Sequence, residues 1–240
     1  MQCLRRALKL VCCFTALIIL ASRNKSKYDG PSYHGCSFKQ WYLRWAQATD
    51  TGDKAAESEA RDAIKQMGTN VIPFLLQDLC AEVEQDKKPQ IPPTVVFRIL
   101  GPVAAPAIPA LETMMRQTNI KALNVTASCL VDIGDEALPT ISRLLTNTHP
   151  PTRYHTAYQF SGALVHLDTY TLGTNLLLVV LLLAQCCQDS NPYTAISAIR
   201  ALAAIDLDPP TTSAAPRAAL QSPNNLVRDE ASAALAQSGH

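Results

Sequence analysis

Three glycines that recur at a fixed interval constrain the fold of this chain more than any other feature. Gly68, Gly101 and Gly134 are each 33 residues apart, and each closes a stretch of apolar residues with helical spacing. Glycine suits the left-handed position that closes a helix. A proline follows each glycine, where the first turn of a helix leaves N–H groups unpaired: Pro73, Pro109 and Pro139. The sequence therefore predicts a repeated helix–turn–helix unit.

Neither helix of such a unit can bury its apolar stripe alone, so neighbouring units must stack. The composition agrees with a helical chain that has a core, because 48% of the 240 residues are hydrophobic and only 6% are aromatic. Alternating runs of Val, Ile and Thr, which favour strands, are rare. We therefore expect an all-α fold.

Beyond residue 150 the array is predicted from helix-start signals. Proline-containing starts occur at His149-Pro150-Pro151, Asn191-Pro192 and Ser222-Pro223. The apolar stretch from Leu176 to Ala184 is too short to span a membrane, and a fully buried helix is expected there. The number of repeats after residue 150 stays open.

The repeated units resemble HEAT repeats. Segments 68–76 and 101–111 carry the family's link of a glycine followed by Ala/Val-Ile-Pro-x-Leu, and segment 222–235 is similar to its Pro, Val-Arg and alanine-rich stripe. The resemblance covers about residues 33–240 and is weaker between 170 and 190. It implies a right-handed α-solenoid, an armadillo-like α–α superhelix of about five stacked helix pairs, whose second helices line the concave side. It does not imply an enzyme.

The pattern of the N-terminal residues is typical of a targeting segment. Arg5, Arg6 and Lys9 precede an apolar run from Leu10 to Ala21. A basic start followed by about a dozen apolar residues is typical of a secretory signal peptide. Because a spanning helix needs roughly 20 apolar residues, the run is interpreted as a signal peptide or an N-terminal anchor, with membrane contact only through residues 8–21. The alternative is the frayed first helix of a cytoplasmic protein.

Three parts are expected along the chain: residues 1–27 as signal peptide or anchor, 28–54 as an N-terminal capping helix region and 55–240 as the repeat array. The run from Tyr33 to Trp41 looks like a Tyr-x-Gly-x-x-Leu-x-x-Trp motif that precedes HEAT arrays in some exported bacterial proteins. Trp41 and Trp45 share a helix face that should pack on the first repeat, with a peptide-binding patch as the alternative. The predicted location is membrane-anchored or exported, periplasmic or extracytoplasmic.

Five cysteines lie beyond the targeting segment: Cys36, Cys80, Cys129, Cys186 and Cys187. They form no Cys-x-x-Cys pair and have no histidine at metal-ligand spacing. Cys80 and Cys129 occupy apolar positions of helical patterns, where cysteine packs as a small hydrophobic residue. An odd count excludes complete pairing within one chain. Zinc ligation and a disulfide framework stay open as alternatives to free thiols.

Patterns of catalytic and metal-ligating residues are missing. None of the five histidines precedes a glutamate, whereas HEAT-like hydroxylases that bind iron carry repeated His-Glu pairs. His155 and His166 share a helix face and could meet a metal with Asp168 as third ligand, but surface histidines are the simpler interpretation. The sequence has no Gly-x-Ser-x-Gly motif and no glycine-rich phosphate loop. We therefore predict no catalytic residue, no cofactor and no metal, and a chain that is not an enzyme.

Charged residues are interpreted as structural. Asp135 and Glu136 follow Asp132 at a predicted helix start, where the helix dipole favours anions. Basic residues are spread along the array and balanced by acids, for a net charge of +1: Arg116, Lys121, Arg143, Arg153, Arg200, Arg217 and Arg228. Nucleic-acid binding needs a dense cationic face, so no nucleic-acid partner is expected.

The predicted function is a non-catalytic protein-binding scaffold that uses the concave surface of a HEAT-like solenoid. A rigid extended groove supplies many weak contacts to a protein or peptide partner. Two alternatives stay open: a HEAT-like enzyme of the lyase or DNA glycosylase type, and a purely structural spacer.

Overall fold

A computed structural model describes residues 30–85, 91–116, 119–164, 176–205 and 209–237. The chain contains two compact units, Met1–Ile99 and Leu100–His240. The predicted targeting segment, residues 1–27, lies outside the described residues, so its role stays a prediction.

The first unit begins with a short hairpin and continues as helices. Strands β1 (Ser32–Tyr33) and β2 (Cys36–Ser37) pair antiparallel. Four helices follow: α1 (Phe38–Thr51), α2 (Lys54–Met67), α3 (Ile72–Gln85) and α4 (Pro93–Leu100), whose last residue belongs to the second unit. Helices α1 and α2 pack side by side, and their shared core contains Phe38, Trp41 and Ile64.

The Tyr33–Trp41 motif builds the start of this unit. His34 (φ 49°) and Gly35 (φ 75°) both have positive φ, as the two central residues of a type I′ hairpin turn require. The turn brings the chain back so that the indole Nε1 of Trp41 donates to the carbonyl oxygen of Tyr33 at 2.9 Å. Ser37 then begins α1 as the N-cap of a capping box. The glycine, serine and tryptophan of the motif thus each have a structural role.

The second unit is an array of eight described helices. In chain order they are α5 (Ile108–Met114), α6 (Ile120–Ile133), α7 (Leu138–Leu145), α8 (Pro150–Leu164), α9 (Leu176–Cys186), α10 (Pro192–Ala204), α11 (Pro209–Ala219) and α12 (Asn225–Gln237). Helices α6, α8, α10 and α12 pack in series as a first-helix layer, and α7, α9 and α11 pack in series as a second-helix layer. The prediction of an all-α fold of stacked helix pairs is confirmed, and the arrangement fits a HEAT-like fold.

The recurring glycines turn the chain, but in a conformation other than the predicted one. Gly68, Gly101 and Gly134 have positive φ values of 58°, 54° and 90°. However, ψ is −136° at Gly68 and −142° at Gly134, so these two residues do not close their helices in the left-handed helical conformation. Their backbone lies near a region that essentially only glycine populates. Glycine is therefore needed there for a stricter reason than the one predicted.

Short 3₁₀ turns connect the helices at these glycines: Gly68–Val71, Gly101–Ala107 and Asp135–Ala137. The three repeat prolines each occupy the second residue of the next α-helix, namely of α3, α5 and α7: Pro73, Pro109 and Pro139. This is the first helical turn, as predicted, where proline lacks only an N–H that has no helical partner.

An asparagine cap continues the repeat past residue 150. Asn119, Asn191 and Asn224 lie directly before α6, α10 and α12, and the side-chain oxygen of each accepts the backbone N–H two residues later at 2.9 Å. Asn147 makes the same contact at 2.9 Å shortly before α8. Asparagine is a favoured cap because it satisfies an N–H that the helix leaves unpaired. Three first helices, α6, α10 and α12, therefore begin alike, and a similar asparagine turn precedes α8, although the glycine spacing ends at Gly134.

Helix α9 is not the fully buried helix that the sequence predicts. One side packs in the unit, with Val180, Leu182 and Leu183 buried, but the other side is open to solvent. Among the described side chains, the exposed large apolar ones on this helix are Leu177, Leu178 and Leu181.

Within the described residues, one helical run is long and apolar enough to cross a membrane. Pro93–Met114 has 22 residues and a mean hydropathy of 1.6. The core helix of a soluble protein can be equally long and apolar. In this run, 39% of the most apolar 18-residue stretch is buried, and Phe97 and Leu111 are fully enclosed. The run gives only weak support for a membrane location.

Candidate protein-binding site

The most exposed apolar surface of the second-helix layer lies on α9. The exposed fractions are 61% for Leu177, 43% for Leu178 and 54% for Leu181. Their spacing of i, i+1 and i+4 places them on one face of the helix, and we call them the leucine patch. Contiguous exposed apolar side chains in a folded domain mark interaction sites more often than isolated ones do.

The sequence of α9 explains why this patch exists. From Leu176 to Cys186 the helix contains no charged residue, so it has no polar face to turn toward solvent. Its packed side already supplies the core, and Leu183 is fully buried. Sequence reasoning missed the patch because uniform hydrophobicity was taken to mean burial on all sides. The signal that could have found the patch was the place of α9 at the middle of a layer, where one side of a helix has no neighbour.

Cationic side chains stand on the helices at both sides of α9, which contacts α7 and α11. Arg143 of α7 is exposed, and its Nη2 donates to Glu112 Oε2 at 2.9 Å and to Thr140 Oγ1 at 2.8 Å. Arg217 of α11 is also exposed and has no acidic partner among the described residues. The two helices that contact α9 thus each carry one exposed arginine, whereas α9 itself has no charged residue.

A second exposed cluster lies on the first-helix layer. Tyr154 packs against Tyr158 and Tyr193, with ring centroids 5.9 Å apart in both pairs. Tyr158 and Tyr193 are largely exposed. Arg200 of α10 pairs with Glu230 of α12 at 2.7 Å, and this hydrogen bond to the carboxylate, with a smaller contribution from Tyr158 and Tyr154, holds the pKa of Arg200 above its ordinary value. This cluster ties three first helices together across the layer.

The structure does not test whether His155 and His166, the disfavoured alternative for a metal site, come together, because only His155 lies in its described part. His155 is buried on α8, burial lowers its pKa, and its Nδ1 has no hydrogen-bond partner in the described part of the chain. His166 and Asp168 lie outside the described residues. No group of three or more potential ligands is found among the residues that the structure covers.

Within the described residues, the five cysteines beyond the targeting segment form no disulfide with one another. Cys129, Cys186 and Cys187 are buried, and Cys36 and Cys80 are half-buried. Burial raises the pKa of Cys186 and of Cys187 to about 12, so both thiols are protonated at neutral pH. They pack as small hydrophobic side chains.

Acidic candidates from the sequence occupy turns and helix pairs. Asp135 and Glu136 form the 3₁₀ turn before α7, next to Gly134, and Asp132 lies one residue before the end of α6. Several of the basic residues pair with acids in other parts of the array: Arg143 and Arg200 with acids on other helices, and Arg153 with Asp189 in a turn.

The tryptophan face of the first unit forms an open cleft of about 330 Å³ between α1 and α2. Trp41 is buried, with the Arg44 guanidinium 4.8 Å from its ring centroid. Trp45 stacks near Tyr42, and its buried Nε1 has no partner among the described residues. Polar side chains line much of the rest of the cleft, so it lacks the apolar surface typical of a ligand pocket.

Comparison with known proteins identifies no family for this chain. No family model matches the sequence, and no curated protein matches it. A solved structure of human deoxyhypusine hydroxylase in complex with glycerol is similar over 98% of this chain and 99% of that chain, with 16% identity and a TM-score of 0.26. At that TM-score the likeness does not support conclusions about the activity of this chain.

The prediction that the chain is not an enzyme is withdrawn, since the similar structure is that of a hydroxylase and nothing found supports the exclusion. That exclusion rested on missing sequence motifs. Motifs report only the arrangements already known from other folds, whereas helical arrays can assemble a site from residues far apart in sequence.

Proposed function

We propose that this chain binds a protein partner through the second-helix layer of its second unit, with the leucine patch at the centre of the interface. The observation that carries the proposal is the exposure of Leu177, Leu178 and Leu181 on one face of α9. Leaving leucine in water is unfavourable, and selection against aggregation removes such patches from surfaces that stay exposed. A partner that covers the patch accounts for its presence.

The patch is large enough to anchor an interface but not to form one alone. Complete burial of an exposed leucine contributes about 1.5–3 kcal/mol, and these three leucines are about half exposed, so covering them contributes roughly 2–4 kcal/mol. A micromolar complex needs about 8 kcal/mol beyond the cost of association. The exposed stripes of α7 and α11 must therefore contribute the remaining contacts.

The location proposed for this activity is the membrane surface or the extracytoplasmic space of a bacterium. Support comes from the basic and apolar pattern of residues 1–27, which act as a signal peptide or anchor. Sequencing the N-terminus of the protein purified from its host distinguishes cleavage from retention of this segment.

A photocrosslinking amino acid placed on the patch tests the proposed interface. The full chain is produced in its host with the crosslinker at Leu178 or Leu181, and with a matched control at Leu226, a leucine of α12 that is 49% exposed on the first-helix layer. We expect both patch positions to capture the same protein and the control to capture none. Capture from the control position at equal yield, or no adduct from the patch, contradicts the proposal.

An enzyme of HEAT-like architecture is the alternative function. Elemental analysis of the protein purified from its host tests it independently, because a stoichiometric transition metal indicates a catalytic centre. That outcome together with a negative crosslinking result would replace the binding proposal.

A further inference from the structure

No further inference is drawn: the strongest candidate, the surface cluster of Tyr154, Tyr158 and Tyr193 on the first-helix layer, is an unpartnered aromatic patch, and nothing in the described part of the chain shows what covers it.

Discussion

The guanidinium of Arg153 on α8 forms a two-point ion pair with the carboxylate of Asp189, which lies 36 positions later in the turn before α10. Nε contacts Oδ2 at 2.5 Å and Nη2 contacts Oδ1 at 2.8 Å, and the side chains are only 13% and 8% exposed. The remaining nitrogen, Nη1, donates to the carbonyl oxygens six and five residues before Arg153, and Arg228 makes the same two contacts near α12. The arginine thus joins one turn between repeats to the next.

Replacing Asp189 by asparagine should destabilise the second unit by about 2–4 kcal/mol, because it leaves the enclosed Arg153 charge without its counter-ion. The measurement is urea denaturation of the full chain followed by circular dichroism. Glu112→Gln is the control, since it breaks the exposed pair with Arg143 and should cost less than about 1 kcal/mol. Equal losses in the two variants would contradict the structural role of Arg153.

The stability of the second unit should fall as the pH drops below about 6.5. Burial lowers the pKa of His155, and its Nδ1 has no described partner that would favour the charged ring. Between the pKa values of His155 in the folded and unfolded chains, the unfolded chain therefore binds a proton that the folded chain does not. The contribution of neutral His155 to stability is complete above the unfolded pKa and is lost as the pH falls below it.

His155→Phe tests this assignment because it keeps an aromatic ring and removes the titration. Denaturation midpoints measured from pH 5 to pH 8 should slope less between 5 and 6.5 in the variant than in the unchanged chain. An identical slope in both proteins would place the pH dependence elsewhere.

Adding a methyl group at a turn glycine should be destabilising even where space is available. A Cβ at Gly134 meets nothing within 4 Å, yet its φ of 90° is strained for any other residue, and Gly134→Ala should cost about 1–3 kcal/mol. Gly162 lies inside α8 and also has open space, so Gly162→Ala should stabilise by about 0.5–1 kcal/mol. Thermal denaturation that shows the same sign for both would contradict the backbone argument.

These glycines also show how far the sequence predicts the fold. The 33-residue interval identifies the helix pairs, because a positive φ at a helix end leaves glycine as the only low-strain residue. Beyond Gly134 the described helix α10 is capped by Ile205 and not by a glycine, so the interval stops. Asparagine caps such as Asn191 and Asn224 continue the repeat at the other end of the first helices, where they satisfy a helix N–H through a side chain. A search for the glycine alone therefore loses the repeat after Gly134.

The candidate site was less predictable than the fold. The run of leucines indicates that α9 is apolar on all sides. Which side is covered depends on the number of neighbours that the array supplies. Pairs such as Arg153 and Asp189 are likewise set by stacking between repeats, and no local pattern reports a partner 36 positions away. Spacing within one helix predicts its faces and leaves open what each face meets.

Two leucines that lie two positions apart on α9 separate folding from binding. Leu183 is fully buried and Leu181 is 54% exposed, although both belong to the same apolar run. Leu183→Ala should therefore destabilise the second unit by about 2–5 kcal/mol through lost packing and a cavity. Leu181→Ala should change stability by less than about 0.5 kcal/mol, because little of its surface leaves water on folding.

Parallel urea titrations measure the stability of both variants, and the crosslinking yield at Leu178 is recorded for the Leu181 variant. If Leu181→Ala costs as much stability as Leu183→Ala, the patch belongs to the core and is not available to a partner. A small stability change together with a loss of crosslinking identifies Leu181 as a residue kept on the surface for binding.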